Sequence, residues 1–343
     1  MDLLKRLIDE RIRTFAAESS AHLDADERDT VLGALEVLTY SARREAGLNT
    51  LGAGLLGRQL SHRLDQCTAL LESHGAQGRT RSTSTGLGRT VIISGAPRTG
   101  TTLLHHLLSA SSGAVAPSLA WMLYPRGDEA TQMAYSRGYL DMSRRMSPDL
   151  SALHPMGPTW PDECIFALEN LLLSPRYAMS MRAPAFLSHL EGVDPRPVLA
   201  IYLRMLRFRY GNDRHPPSLI LKAPTHSMWI DAFADLVTDL VVVTICRDES
   251  EWKASWARLM AATMRITDST SDGEYIDAWI RWLDTGIERL LELGTSGLQV
   301  LRIRYDDLVQ DPVRTVHAVT AEIGIARPSD SQVRSISTAL RSG

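Results

Sequence analysis

The sequence of 343 residues has an ordinary globular composition, with 44% hydrophobic residues, 22% charged residues and a formal net charge of −3. This slightly acidic balance excludes a broadly basic nucleic-acid-binding protein. The three cysteines, Cys67, Cys164 and Cys246, form neither a disulfide framework nor a metal-type CxxC pair, which predicts a reducing, cytoplasmic setting. No signal-peptide core or membrane-length apolar run is present, so we expect a soluble protein that does not enter a membrane.

The first part of the chain has a helical pattern. Within residues 1–75 apolar side chains recur at helical spacing in three stretches, which predicts an N-terminal helical region. Residues 76–88 are rich in Ser, Thr and Gly and are predicted to form a flexible connection. A larger domain is predicted over residues 89–343.

Short β-branched runs within this larger domain predict strands at Thr90–Ser94, Leu219–Leu221, Leu240–Ile245 and Gln299–Ile303. Each run is followed by a helical stretch, and this alternation implies a parallel sheet with right-handed crossovers. Residues 120–215 show no strand pattern and contain many Met, Trp, Tyr and Pro residues. They are predicted to form a helical cap inserted over the edge of the sheet. The fold class is therefore α/β, a parallel sheet flanked by helices, with an N-terminal helical region and a helical cap insertion.

Between the first strand and the next helix, from Gly95 to Thr102, lies the spacing G-x-x-x-x-G-x-T of a P-loop. In such a loop the backbone curls so that its N–H groups and the helix N-terminus bind a phosphate. Thr101 stands where nucleoside triphosphatases have a lysine on the β- and γ-phosphates, and Arg98 supplies positive charge instead. The loop is therefore suited to a 5′-phosphate carrying a less charged group rather than to ATP hydrolysis. Glycines that serve only tight packing are the structural alternative.

Four segments in order resemble the bacterial branch of the P-loop sulfotransferases that use 3′-phosphoadenosine-5′-phosphosulfate (PAPS). The resemblance extends over residues 89 to about 325. The loop at 95–102 is similar to the family's 5′-phosphosulfate loop, and Leu221–His226 is similar to its lysine–proline–histidine segment. Cys246–Asp248 with Ser255 is similar to the 3′-phosphate motif, and Arg304–Leu308 with Asp311-Pro312 is similar to the stretch that enters the last helix.

The resemblance implies a P-loop-type sheet and a sulfotransferase that moves a sulfuryl group from PAPS, its co-substrate, to a hydroxyl, or less often an amine, of a small molecule. No metal is expected. The donor site implied by the resemblance consists of Arg98, Thr99, Gly100, Thr101, Thr102, Arg247, Ser255 and Tyr305. The alternatives from the residues alone are an exposed arginine for Arg247 and a core tyrosine for Tyr305.

Four residues are candidates for the chemistry. Lys222 is one of three lysines among 37 basic residues and ends a strand, so we expect its ammonium to stabilise charge on the leaving phosphate; a surface salt bridge is the alternative. His226 follows Pro224 near a helix start, where the imidazole stays neutral and can act as a base. The alternative is a histidine that only forms hydrogen bonds with nearby backbone. Glu163 and His154 are further candidate bases, although acids such as Asp162 and Glu163 also suit a helix start.

One departure from the family pattern concerns the base. Trp121-Met122 stands where the bacterial branch often has Trp-Glu, so a glutamate base at that place is absent. Aromatic and Met side chains of the cap either line a partly apolar acceptor pocket or form the cap's own core; they include Trp121, Met122, Tyr124, Met156, Trp160, Met179 and Phe186.

Two other functions are compatible with the loop. A kinase-like phosphotransferase would share its spacing but lacks the lysine. A non-catalytic P-loop protein that serves as a partner or scaffold would explain Met122. The sequence predicts neither the acceptor nor the oligomeric state.

Overall fold

The structure is a computed structural model that describes residues 2–19, 22–78, 87–212, 214–268 and 273–341. Its strands are β1 (Thr90–Ile93), β2 (Ala114–Val115), β3 (Ser218–Lys222), β4 (Leu240–Cys246) and β5 (Gln299–Arg304). Its α-helices are α1 (Asp2–Ser19), α2 (Ala25–Arg44), α3 (Thr50–Gly78), α4 (Thr101–Ser109), α5 (Leu119–Leu123), α6 (Glu129–Met146), α7 (Pro148–Leu153), α8 (Ile165–Leu168), α9 (Pro175–Ser180), α10 (Pro184–Gly192), α11 (Arg196–Tyr210), α12 (Ile230–Leu236), α13 (Glu249–Met264), α14 (Gly273–Thr295), α15 (Tyr305–Gln310), α16 (Pro312–Glu322) and α17 (Asp330–Arg341). Two 3₁₀ helices, Glu169–Leu171 and Pro224–Trp229, complete the order.

The strands form one parallel sheet in the order β2-β3-β1-β4-β5. In the register Ile93 of β1 lies beside Lys222 of β3 and Val243 of β4. The chain reaches β3 on one side of β1 and β4 on the other, so the carboxyl edge at β1 is the switch point at which α/β sheets bind ligands. The predicted fold class and all four predicted strands are confirmed. The two-residue β2 was not predicted because it is too short to leave a pattern.

Both faces of the sheet are buried at β1, β3 and β4, which explains the nearly uninterrupted apolar runs of these strands. The edge strand β5 is partly exposed and carries Gln299, Arg302 and Arg304. Side chains alternate along β1, so Val91 and Ile93 pack on one face with residues of α4, α15 and α16. Ile92 points to the other face, where it belongs to the same core cluster as Phe15 of α1, Leu35 of α2 and residues of the cap. The N-terminal helices therefore share a hydrophobic core with the sheet and the cap.

The N-terminal helices agree with the prediction except at their end. Asp24 begins α2 with a capping box in which its side chain accepts the Glu27 N–H. Helix α3 continues to Gly78 and so occupies the first residues of the predicted connection at 76–88. The central part of that predicted connection, residues 79–86, lies outside the described residues.

The described part of residues 120–215 is built from helices α5 to α11 without a strand, as predicted. Most of its large apolar side chains are core, since Trp121, Met122, Met179 and Phe186 are 0–8% exposed. Met156 is half-buried and packs at the edge of the core. No helix within the described ranges combines the length and the apolar character that crossing a membrane requires.

A buried ion network joins α3 to the cap. The carboxylate of Glu169 is fully buried and accepts hydrogen bonds from Arg63 at 2.8 Å, Arg176 at 2.7 Å and Gln59 at 2.7 Å. Burial alone would lower the pKa of Arg176, but Glu169 and Tyr139 raise it above its usual value. The network is costly to break, because removing one partner leaves buried charges uncompensated.

We predict that Glu169→Gln destabilises the protein by about 3–5 kcal/mol, since Arg63 and Arg176 lose their shared counter-charge. Urea denaturation measures the change. The matched control is Asp235→Asn, which removes an exposed carboxylate 2.8 Å from Arg196 and should change stability by less than about 1 kcal/mol. Equal, small effects of the two substitutions would contradict the assigned role of Glu169.

Candidate active site

The loop after β1 has the backbone of an anion-binding nest. Gly95, Arg98 and Gly100 have φ angles of 118°, 62° and 89°, all in the left-handed region. Gly100 is the N-cap of α4, and the Thr99 hydroxyl donates to the Ala96 carbonyl at 2.8 Å. Successive backbone N–H groups curled before a helix N-terminus attract an anion.

Residues from three elements converge on this loop. Arg98 Nε donates to Ser255 Oγ at 3.2 Å, and Arg247 Nη1 donates to the Arg98 carbonyl at 2.8 Å. Asp248 caps α13 by accepting the Glu251 N–H, which positions Ser255 on that helix. The structure thus brings together Arg98, Arg247 and Ser255, which the sequence placed far apart.

The electrostatics of this cluster favour an anion. Burial lowers the pKa of Arg98, and the Arg247 and Arg258 guanidiniums lower it further, while Glu163 opposes them. Guanidiniums held this close together repel one another, and a bound phosphate would relieve the repulsion.

Tyr305 closes one side of the cluster. The Arg247 guanidinium carbon lies 4.3 Å from the centroid of the Tyr305 ring, within cation–π distance. A Cβ added to Gly100 would lie 3.4 Å from that ring, so the ring packs close against the loop. Next to them, at the carboxyl ends of β4 and β5, is a cavity of about 340 Å³ lined by Cys246, Arg247, Asp248, Glu251, Arg304, Tyr305 and Asp306.

Lys222 lies at the end of β3 and is fully buried. Its Nζ donates to Glu163 Oε1 at 3.0 Å and is 3.4 Å from Thr102 Oγ1 at the start of α4. The Cys164 N–H donates to the Lys222 carbonyl at 2.8 Å, so the segment carrying Glu163 is fastened to the strand. The ion pair of Lys222 is therefore part of the interior and is not the surface salt bridge weighed as its alternative role.

His154 and Asp162 form a second polar pair beside Glu163. His154 Nε2 lies 3.2 Å from Asp162 Oδ1, which also accepts the Glu163 N–H at 2.7 Å. Burial alone would raise the pKa of Asp162, but His154, Lys222 and the Glu163 N–H together hold it below its usual value. From the sequence the acids Asp162 and Glu163 suited a helix start, and the pairing of Asp162 with His154 was missed because no local pattern indicates it.

His226 lies in the 3₁₀ helix Pro224–Trp229 rather than in the first turn of an α-helix. Its ring is fully buried, packs 4.8 Å from Phe233, and bonds through neither nitrogen to a described residue. Burial, followed by Lys222, lowers its pKa to about 3. The ring is thus neutral as predicted, but burial rather than the helix dipole is the cause, and the structure shows no proton-accepting geometry for it.

Comparison with known proteins points in one direction. The sequence profile described as "Sulfotransferase family" matches residues 90–329. The omega-hydroxy-beta-dihydromenaquinone-9 sulfotransferase Stf3 of Mycobacterium bovis, like that of Mycobacterium tuberculosis, is 30% identical over 255 residues, covering 68% of this chain and 62% of the relative. The chain therefore matches less than two thirds of the length of these curated relatives.

Two crystal structures share the fold of this chain. Sulfotransferase STF1 from Mycobacterium tuberculosis H37Rv superposes with a TM-score of 0.77 at 24% identity, covering 96% of this chain and 92% of its own. Sulfotransferase STF9 from Mycobacterium avium gives 0.74 at 17% identity, covering 97% and 87%.

We predict that Gly95→Ala weakens both stability and nucleotide binding. Residue 95 has a backbone φ of 118°, which strains an alanine, and the new Cβ would lie 2.3 Å from Thr244 Oγ1. Backbone strain and overpacking together should therefore cost about 3 kcal/mol of stability. The control is Gly113→Ala. Residue 113 has a φ of 73°, but no atom lies within 4 Å of the added Cβ, so this substitution should cost about 1 kcal/mol of stability. Urea denaturation and calorimetry with adenosine 3′,5′-bisphosphate measure the two effects. Unchanged binding in Gly95→Ala would contradict a nest at this loop.

We predict that His226 makes the protein less stable as the pH falls. Its pKa is about 3 in the folded chain against 6.5 ordinarily, so between these values the unfolded chain binds a proton that the folded chain does not, and stability rises with pH. His226→Gln should reduce this slope by up to about 1.4 kcal/mol per pH unit. Urea denaturation between pH 4.5 and pH 6.5 measures the slope, and an unchanged slope would show that the buried ring titrates freely.

Proposed function

The chain belongs to the sulfotransferase family, and from this premise we propose that it transfers a sulfuryl group from PAPS to the hydroxyl of a small-molecule acceptor. The observation that carries the proposal is the convergence of Arg98, Arg247 and Ser255 on a P-loop whose lysine position holds Thr101. This arrangement supports two separate phosphate positions on one nucleotide better than it supports a triphosphate with Mg²⁺.

The donor is proposed to occupy the carboxyl edge of the sheet. Backbone N–H groups of Thr99 to Thr102, at the left-handed turn and helix start, would bind the 5′-phosphosulfate. Arg247 and Ser255 would bind the 3′-phosphate, since both already contact Arg98 of the loop. Tyr305, which packs against Gly100 and Arg247, would cover the nucleoside.

Lys222 is proposed to stabilise the leaving group. In the transfer, the acceptor oxygen forms a bond to sulfur while the bond from sulfur to the bridging oxygen breaks, and negative charge grows on that oxygen. The buried ammonium, held beside Thr102 at the loop's helix, can meet this charge in a site of low dielectric. Losing such a contact raises the barrier by about 3 kcal/mol.

Three residues were predicted as the base that assists the attacking hydroxyl. Glu163 and His154 both belong to the polar group around Lys222 and Asp162. His226 is buried without a hydrogen bond to any described residue, which places it third, because a base must reach the proton it removes.

The acceptor is proposed to be an alcohol with an apolar chain. The curated mycobacterial relatives are named for an omega-hydroxy menaquinone derivative, in which the hydroxyl ends an apolar tail. In this chain His154 is flanked by Leu153 and Met156, both half-buried at the edge of the core. Apolar side chains around one polar group suit such a molecule. A reducing compartment such as the cytoplasm remains part of the proposal, since Cys67, Cys164 and Cys246 are free thiols.

We predict that Lys222→Met lowers the rate of transfer from radiolabelled PAPS to farnesol at least about 100-fold, corresponding to about 3 kcal/mol. PAPS should still bind within about 3-fold, because the loop and Arg247 are intact and the bridging oxygen carries little charge before the transfer. The matched control is Lys253→Met, a lysine that pairs with Glu249 and Asp284 away from the loop, and it should leave the rate unchanged.

Calorimetry with the wild-type protein separates this function from a kinase-like one. Adenosine 3′,5′-bisphosphate should bind more tightly than ATP with Mg²⁺. Tighter ATP binding with Mg²⁺-dependent hydrolysis, or full transfer by Lys222→Met, would overturn the proposal.

A further inference from the structure

The pair formed by His154 and Asp162 has a defined protonation pattern. A carboxylate only accepts hydrogen bonds, so the ring nitrogen 3.2 Å from Asp162 Oδ1, Nε2, must carry a hydrogen. In the neutral ring the lone pair is then on Nδ1, to which no described residue donates. Asp162 is 5% exposed and His154 16% exposed, so the carboxylate is enclosed while the ring keeps an open edge.

Two contacts fix this ring relative to the donor site. Arg98 of the P-loop donates through Nη1 to the carbonyl of Leu153, the residue before His154, at 2.9 Å. On the other side, Asp162 accepts the N–H of Glu163, whose carboxylate holds Lys222. The imidazole is thus tied both to the loop proposed to hold the phosphosulfate and to the lysine proposed to meet the leaving group.

Glu163 is less suited to remove the proton. Its Oε1 lies 3.0 Å from the Lys222 ammonium and accepts a hydrogen bond from it, so this oxygen already has a donor where a base must meet the acceptor hydroxyl. An imidazole oriented by a carboxylate accepts a proton near neutral pH and is stabilised once charged.

We propose that His154 is the catalytic base and that Asp162 is its positioning residue, an inference that rests on the proposed function. His154 Nδ1 takes the proton of the acceptor hydroxyl as the acceptor oxygen bonds to sulfur. The bond from sulfur to the bridging oxygen breaks, and its electron pair stays on the 5′-phosphate beside Lys222. Asp162 stabilises the imidazolium, which returns its proton to water after the products leave. Glu163 orients Lys222.

Several charged or titratable groups surround the pair formed by His154 and Asp162, called the dyad below, and bear on its pH dependence. His106 of α4 interacts with both His154 and Asp162, and burial lowers its pKa to about 4, so it is neutral near pH 7. The other groups around the pair are Arg98, His105, Glu163 and Lys222.

The first test is the pH profile of kcat/KM with PAPS and farnesol. Removing a general base costs about 100- to 10,000-fold, so His154→Gln should lose that factor and the acidic limb of the profile. Asp162→Asn should lower kcat at least about 10-fold, because the ring loses the acceptor that orients it and compensates its positive charge. Both variants should bind adenosine 3′,5′-bisphosphate within about 3-fold of wild type, which a merely structural defect would not allow.

A glutamate variant and a rescue experiment discriminate between the two candidate bases. Glu163→Gln should slow transfer yet keep the acidic limb, since Lys222 is less well oriented but the base remains. Added imidazole should restore part of the activity of His154→Ala and none to Glu163→Gln. Loss of the limb in Glu163→Gln together with its retention in His154→Gln would overturn the proposal.

A second readout does not depend on turnover. In protein labelled with ¹⁵N-histidine, the signals lost in His154→Gln identify this ring, and wild type should show hydrogen on Nε2 and none on Nδ1. Asp162→Asn should change this tautomer or its chemical shifts. A ring with hydrogen on Nδ1 overturns the dyad whatever the activity. An Nε2-protonated ring in a protein that transfers sulfate to no alcohol supports the dyad and counts against the proposed function instead.

Discussion

The constraint on which the site depends is the burial of the Lys222 ammonium. A charge without solvent contact is tolerated only where a partner and further hydrogen bonds compensate for lost hydration, and here Glu163 and Thr102 supply them. The Cys164 N–H on the Lys222 carbonyl holds the partner in place. One lysine therefore joins the carboxyl edge of β3, the start of the P-loop helix and the cap. The same ammonium serves the proposed chemistry because it is dry and already oriented.

Much of this edge could be predicted from sequence because its signals are local. Apolar runs indicated β1, β3 and β4, since a strand buried on both faces carries apolar side chains at nearly every position. The edge strand β5 was indicated instead by Val300, Leu301 and Ile303 between exposed polar residues. The spacing of Gly95 and Gly100 indicated an anion-binding nest, because the nest needs backbone conformations that glycine adopts readily. The resemblance to sulfotransferases that this loop supported is confirmed by the family match. The approach of Arg247 and Ser255 to the loop was expected from the resemblance, which groups them in one donor site, and the structure brings them to Arg98.

The remaining features depend on tertiary contacts that no local pattern contains. No local sequence pattern shows that the His226 ring is sealed from solvent, so burial replaced the helix dipole as the main cause of its lowered pKa. Asp162 was interpreted as a helix-start acid because its partner His154 is brought near only by the folded cap. Met122, where the bacterial branch often has a glutamate, is a fully buried thioether that cannot serve as a base, so the proposed base is drawn from another segment. The network around Glu169 joins residues more than a hundred positions apart.

The continuous core of the N-terminal helices, the cap and one face of the sheet has a consequence for how the protein can be divided. The family match begins at residue 90, but packing does not begin there, since Phe15, Leu35 and Ile92 belong to one cluster. A fragment that begins at residue 90 would expose the apolar surface that the N-terminal helices cover. It would also lack Arg63, the buried partner of Glu169. The region that matches the family is therefore smaller than the unit that folds around one core, which includes the N-terminal helices.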